Sequence, residues 1–172
     1  MIGRTSTGKY HVNNPSVINA SPLIFLSRTG YTDFLHHFYN DLLIPQPVAD
    51  EIFAKGKDDI TVKTIKNTEW LKIVDAPTIP DIILKWGLGK GESSVLSLAY
   101  LNRAKEAVID DLAARKCASL LNIPVRGTLG IILVLKKRRI IKSARPIIQN
   151  LVEHGMYLSP TIIEKSLQRV GE

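Results

Sequence analysis

Acidic and polar side chains in this sequence follow short apolar segments, at points where the strands of a parallel sheet would end. These residues are Asn19, Asp110, Asp111 and Thr128. The carboxyl ends of parallel strands meet at one edge of the sheet, which is where ligands of such proteins bind. Clustered carboxylates there bind hard divalent cations, and two such cations can clamp both oxygens of a phosphodiester displacement.

Glu92 is the further candidate acid, because it begins a helical pattern directly after the glycine-rich stretch 87–91. A carboxylate at a helix N-terminus also gains about 0.3–1 kcal/mol from the helix dipole, so Glu92 has a structural explanation beside a functional one. Asp111 likewise suits the N-cap of a helix over 112–121. Two adjacent aspartates need only one cap, which leaves Asp110 or Asp111 for another role.

The neutral candidates have local explanations too. Asn19 suits a turn after its strand, and Thr128 suits the cap of a helix that begins at Leu129. Ser21 precedes Pro22, which predicts an N-cap with proline at the first helical position. As metal ligands, Asn19 and Thr128 would supply neutral oxygens, which attract a dication less than carboxylates do.

Positive charge is concentrated in the C-terminal third of the chain. The chain has 23 Lys+Arg and 16 Asp+Glu, a formal net charge of +7. Six cations lie within ten positions and form what we call the basic run: Lys136, Lys137, Arg138, Arg139, Lys142 and Arg145. A solvated helix end would explain part of it, and phosphate contact is the reading that we favour. No aromatic residue interleaves with these cations, so a base-stacking platform is not indicated.

Short apolar strands alternate with helical segments from residue 16 onwards, which indicates βαβ units around a parallel sheet. We expect one α/β domain over 16–172, with C-terminal helices from about residue 143, after a flexible polar arm over 1–15. The arm contains a phosphate-loop-like pattern over 3–10, which we interpret as accidental because Tyr10 replaces the small hydroxyl residue that would bind magnesium.

Composition excludes several classes of protein. The chain has one cysteine, so no internal disulfide framework is expected and a reducing compartment is favoured. No apolar run reaches the roughly 20 residues that span a bilayer, and the opening residues lack the apolar core of a secretory signal. We therefore expect a cytoplasmic protein that does not bind membranes.

The ordered motifs resemble those of PIN-like domains. The N-terminal part carries Val17-Ile18-Asn19-Ala20-Ser21-Pro22-Leu23-Ile24 and then Leu42-Leu43-Ile44-Pro45 with Val48 and Glu51. The remainder carries Leu88-Gly89-Lys90-Gly91-Glu92, Val108-Ile109-Asp110-Asp111 with Ala114-Arg115, and Gly127-Thr128-Leu129-Gly130. More narrowly, the Asn-Ala-Ser-Pro-Leu-Ile form is similar to a bacterial and archaeal branch described as toxin–antitoxin nucleases or nucleic-acid-binding proteins.

This resemblance implies a three-layer α/β/α domain with a Mg²⁺- or Mn²⁺-dependent ribonuclease site. Glu92, Asp110 and Asp111 would be the catalytic acids and metal ligands, together with Asn19. Ser21, Glu51 and Thr128 would support them. The basic run would follow the RNA backbone.

Asn19 stands where typical family members carry an aspartate, which removes one negative charge and one bidentate ligand. Two expectations therefore stay open: a metal-dependent ribonuclease of the kind that acts as a toxin with a protein antitoxin, or a domain that keeps the fold and binds nucleic acid or protein without cleaving. The resemblance also implies a homodimer, in which the C-terminal helices would pair.

Overall fold

The structure is a computed structural model that describes residues 14–172. The phosphate-loop-like pattern over 3–10 and all but the last two residues of the predicted arm lie outside the described residues.

Five parallel strands form one sheet in the order β3-β2-β1-β4-β5. The strands are β1 (Ser16–Ile18), β2 (Leu42–Pro45), β3 (Leu71–Val74), β4 (Glu106–Val108) and β5 (Val125–Arg126). They are short and largely buried, as expected for strands covered by helices on both faces. The predicted three-layer α/β/α architecture with a central parallel sheet is therefore confirmed.

Helices connect the strands and complete the C-terminal part of the chain. They are α1 (Ala20–Arg28), α2 (Gln46–Phe53), α3 (Ile60–Asn67), α4 (Asp81–Leu84), α5 (Lys90–Leu101), α6 (Leu112–Leu120), α7 (Thr128–Lys137), α8 (Arg145–Glu153) and α9 (Pro160–Gln168). A 3₁₀ helix over Thr32–His37 follows α1. No helix within residues 14–172 is long and apolar enough to cross a membrane.

The order of the strands reverses between β1 and β4, and this reversal places the candidate residues. From β1 the chain proceeds outward to β2 and β3, and then returns to add β4 on the opposite side of β1. Ile18 of β1 pairs with Val108 of β4, and the Asn19 N–H donates to the Val108 carbonyl at 3.0 Å. Residues 19 and 110 thus leave neighbouring strands at the point where such sheets open a crevice.

Helix α5 packs against this part of the sheet through a buried face that combines aliphatic side chains with several small residues. It contacts β1, β2 and β4, and Ser93, Ser94 and Ser97 are all at most 3% exposed. The Ser94 and Ser97 hydroxyls each donate to a carbonyl of the preceding turn at 2.7 Å, so their burial leaves no unpaired donor. The first turn of α5, including Glu92, is thereby held against the end of β1.

The first residue of two helices differs from the sequence prediction. Helix α1 begins at Ala20 with Asn19 in the N-cap position, so the prediction of Ser21 as N-cap is wrong. Thr128 lies inside α7, and Gly127 occupies the N-cap position. In both cases the hydroxyl contacts the distant Asp110 instead of the backbone of its own helix.

A glutamate side chain fixes the start of α8. The Glu172 carboxylate accepts hydrogen bonds from the Ser143 hydroxyl at 2.6 Å and from the N–H groups of Ala144 and Arg145 at 2.7 and 3.1 Å. It also pairs with Lys136 at 3.1 Å. The Ser143 hydrogen bond is the largest cause that lowers the pKa of Glu172, to about 2; burial opposes the shift and the two N–H groups add to it.

We predict that Glu172→Gln lowers the free energy of unfolding by about 1–2 kcal/mol at pH 7, because an ionised acceptor becomes neutral. The folded-state pKa of Glu172 is depressed, so its stabilising effect is present above the unfolded pKa and is lost as the pH falls towards about 2. Denaturant unfolding at pH 7 and pH 3 checks this prediction.

Glu164→Gln is the matched control, since Glu164 pairs with Arg145 on the exposed surface. Surface pairs contribute little, so this variant should unfold almost like the wild type. An equal loss of stability in both variants, or a loss in Glu172→Gln that does not shrink on acidification, would contradict the capping role.

Candidate active site

Asn19 and Glu92 are joined directly at the carboxyl end of β1. The Asn19 Nδ2 atom donates to Glu92 Oε1 at 3.0 Å, although the two residues are 73 positions apart. Asn19 is 2% exposed, and its other side-chain atom, Oδ1, is buried without a hydrogen-bond partner. Because buried carbonyl oxygens are normally satisfied, this Oδ1 atom has an unused acceptor position.

Gly91 makes room for Asn19 and Glu51 beside the first turn of α5. A methyl group added at Gly91 would lie 3.1 Å from Asn19 Oδ1 and 3.3 Å from Glu51 Oε2. The glycine has an ordinary negative φ, so its role here is to allow this close approach and not to relieve backbone strain. Glu51, which the sequence offered only as a supporting residue, therefore lies next to Asn19.

Asp110 is enclosed by hydrogen-bond donors from two other elements. Its Oδ1 accepts from the Thr128 N–H at 2.7 Å, and its Oδ2 accepts from the Thr128 hydroxyl at 2.7 Å and from the Ser21 hydroxyl at 3.4 Å. Burial raises the pKa of Asp110 above its usual range; the Thr128 bonds, Arg115 and Ser21 offset part of that rise. Asp110 thus connects β4 to α1 and to the first turn of α7.

Asp111 has a separate position and a structural role. Its side chain is the N-cap of α6 and accepts from the Ala114 N–H at 2.7 Å. It is exposed, whereas Asp110 is largely withdrawn from solvent. Of the two alternatives that the sequence left open, Asp111 therefore takes the cap and Asp110 faces the predicted site.

Arg115 approaches Asp110 from α6, which the sequence did not predict. A methyl group added at Gly127 would lie 2.8 Å from Arg115 Nη1 and 3.0 Å from Asp110 Oδ1. The space that a side chain would fill at position 127 is thus occupied by this pair. In the sequence, Arg115 and Gly127 are only members of two motifs, and neither of them has a predicted role.

Asn19, Glu51, Glu92 and Asp110 are called the acidic site below. Their donor atoms are carboxylate and amide oxygens, the ligands that Mg²⁺ and Mn²⁺ prefer, and the unpartnered Oδ1 of Asn19 fits such an ion. Across residues 14–172, however, no three His, Cys, Asp or Glu side chains gather closely enough to form a metal cluster by themselves. The acidic site fits a cation only if the neutral Asn19 oxygen takes part.

A cavity of about 330 Å³ opens in front of the acidic site. Asn19, Glu51 and Glu92 line it, and Arg28 and His154 stand among the lining residues as well. The His154 Nδ1 atom lies 2.9 Å from the Asn150 carbonyl, which can only accept, so this nitrogen carries the hydrogen. Neither Arg28 nor His154 was predicted, because α1 and α8 gave no sign of facing one cavity.

Three members of the basic run are held by contacts within the chain. The two terminal nitrogens of the Arg145 guanidinium donate to the two carboxylate oxygens of Glu164 at 2.7 and 3.2 Å. The Arg138 guanidinium lies 5.0 Å from the centre of the Phe38 ring. Lys136 is bound to the carboxylate that caps α8. The other three members, Lys137, Arg139 and Lys142, are exposed. The basic run is therefore not one continuous free surface.

A family model described as a PIN domain matches residues 15–172. The match covers almost the whole chain, so the chain belongs to the PIN-domain family. Proteins of this family are generally nucleases that bind nucleic acid and typically use divalent metal ions. No curated protein resembles the chain closely enough to be named as a relative.

We predict that Thr128→Val lowers the free energy of unfolding by about 1–3 kcal/mol, because a buried carboxylate oxygen loses its short hydrogen bond while the size of the side chain is kept. Ser21→Ala removes only the 3.4 Å contact to the same oxygen and should cost clearly less. Chemical denaturation of both variants checks the order. A larger loss in Ser21→Ala would contradict this description of Asp110.

Proposed function

We propose that the protein is a ribonuclease that depends on Mg²⁺ or Mn²⁺ and cleaves RNA at the acidic site. The observation that carries the proposal is the buried, unpartnered Oδ1 of Asn19 beside Glu92 and Glu51, at the carboxyl end of β1. Membership of the PIN-domain family supports a nuclease, and the oxygen-only donor set supports a hard divalent cation.

The proposed roles differ between the acids. Glu92 and Asp110 would hold the cation together with the Asn19 oxygen, and Glu51 would contribute from the open side of the cavity. Ser21 and Thr128 would orient Asp110, since both donate to its carboxylate. Asp111, predicted from the sequence as a ligand, has its Oδ1 engaged at the start of α6, so we give it an indirect role: it fixes the turn that follows Asp110.

A bound divalent ion would polarise the phosphate and lower the pKa of the attacking water. The residues of the chain contribute the positions of the ligands around the ion. Asn19 fixes Glu92 by a hydrogen bond, which a carboxylate at position 19 would replace by repulsion between like charges. The Arg28 guanidinium, which also lies 3.6 Å from the Asp59 carboxylate, lines the same cavity and would contact the negative charge of a phosphate.

A second candidate is a nucleic-acid-binding domain without cleavage activity. It is favoured by the lack of any cluster of three acidic or other ionisable ligands among residues 14–172, and by the three donors that already surround Asp110. A toxin role with a protein antitoxin and a homodimer remain predictions of the family resemblance, and a cytoplasmic location remains a prediction from composition.

We predict that the full chain cleaves labelled single-stranded RNA only with Mg²⁺ or Mn²⁺, and that Glu92→Gln reduces the rate about 100-fold or more, because it removes a charged ligand. Glu69→Gln is the control, since Glu69 is an exposed acid that does not line the cavity. If the wild type shows no cleavage that Glu92→Gln abolishes, the ribonuclease proposal fails and the binding function is favoured.

Asn19→Asp separates the two candidates further. Without divalent ions, this variant should melt at a lower temperature than the wild type, because the donor to Glu92 becomes a second negative charge. With Mn²⁺, its melting temperature should rise more than that of the wild type, since added ligand charge strengthens cation binding. Thermal unfolding in EDTA and in Mn²⁺ measures both effects, and equal ion responses would contradict a cation site at Asn19.

A further inference from the structure

A second cavity, of about 380 Å³, lies close to Asp110, because Arg115 and Gly127, which both border Asp110, are among its lining residues. It is formed by residues of α6, β5, α7 and α9, and its four basic side chains are Arg115, Arg126, Lys137 and Arg169. No acidic side chain is among the described residues that line it. We call this cavity the basic cleft.

The net charge of the basic cleft comes from three of its four cations. Arg126 is bound to Glu106 at 2.9 Å, a pair whose side chains are both largely covered. Arg115, Lys137 and Arg169 are exposed, and no carboxylate lies within ion-pair distance of any of them among residues 14–172. Three cations directed into one concave surface attract an anion with several charges.

The floor of the basic cleft is apolar. It is made of Leu129, Leu133 and Val134 from α7, with Val170 after α9. A surface with cations around an apolar floor suits a ligand that is both anionic and carbon-rich, and the volume is at the lower end of that of small-ligand pockets. A nucleotide unit within a single strand has this character.

Asp110 connects the two cavities. The Ser21 hydroxyl, which contacts Asp110, lines the cavity of the acidic site, and Gly127, which borders Asp110 from the other side, lines the basic cleft. Arg115 stands beside both Gly127 and Asp110. The basic cleft and the cavity of the acidic site are therefore linked through residues that border Asp110.

We propose that the basic cleft binds the sugar–phosphate backbone of single-stranded RNA through Arg115, Lys137 and Arg169, next to the acidic site. This inference rests on the proposed function, because it places the substrate of that site. It also revises the sequence interpretation, since only Lys137 of the basic run lines the basic cleft. The other two cations come from α6 and from the residue that follows α9.

Binding is tested apart from cleavage, by fluorescence anisotropy of labelled single-stranded RNA in EDTA with the full chain. The combined variant Arg115→Gln, Lys137→Gln and Arg169→Gln should weaken binding about tenfold or more. It should also reduce the slope of log K against log salt by about 2, since each phosphate contact to a single strand contributes about 0.7.

The control removes the same charges elsewhere: Arg103→Gln, Arg139→Gln and Lys142→Gln, two arginines and one lysine that do not line the basic cleft. Two of them belong to the basic run, so the control also tests the sequence interpretation. It should change the affinity only slightly. Thermal unfolding of both triple variants checks that each one folds.

The outcomes separate this inference from the proposed function. An equal loss of affinity in both triple variants, no loss in the cleft variant, or no RNA binding by the wild type overturns the basic cleft as the binding site. If the cleft variant alone loses affinity while Glu92→Gln leaves cleavage unchanged, the cleft stands and the ribonuclease site fails. If Glu92→Gln abolishes cleavage but the cleft variant binds RNA as tightly as the wild type, the ribonuclease site stands and the basic cleft fails as the binding site.

Discussion

The hydrogen bond from Asn19 to Glu92 is the interaction on which the site depends. It joins the end of the central strand to the first turn of α5, across 73 positions in sequence, and the Asn19 side chain that donates it is buried. Two carboxylates at this separation would repel each other unless a cation lay between them. The neutral amide keeps Glu92 in place without a cation, and it still leaves one oxygen directed away from that bond.

Asp110 is fixed in a complementary way. Asn19 gives Glu92 one strong donor, whereas Asp110 receives donors from the start of α7 and from α1, and Arg115 stands nearby. Burial and these donors act on its pKa in opposite directions, and burial prevails. Asp110 therefore borders residues of both cavities, since Ser21, which contacts it, lines the cavity of the acidic site and Gly127 beside it lines the basic cleft.

The fold was predictable because its signals are local: short apolar strands, glycines and prolines at helix ends, and polar residues after strands. The same signals predicted that Asn19 and Asp110 follow strands whose ends lie at one edge of the sheet, and β1 and β4 are indeed neighbours. The partners of Ser21 and Thr128 were not predictable in this way. A hydroxyl near a helix start suits a local cap equally well, and only the packing of α1 and α7 against β4 turns both towards Asp110. The sequence of the basic run likewise did not show which of its cations would be bound by distant side chains, because Glu164, Glu172 and Phe38 reach them only in the folded chain.

The most direct test of the role of Asn19 is the anomalous scattering of a crystal soaked in Mn²⁺. We expect an anomalous peak within coordination distance of Asn19 Oδ1 and Glu92, with Asp110 or Glu51 as a further ligand. The Asn19 amide should keep its orientation, with Nδ2 towards Glu92. No peak at this edge of the sheet, or a peak at acids elsewhere on the surface alone, would contradict the claim that Asn19 completes a cation site.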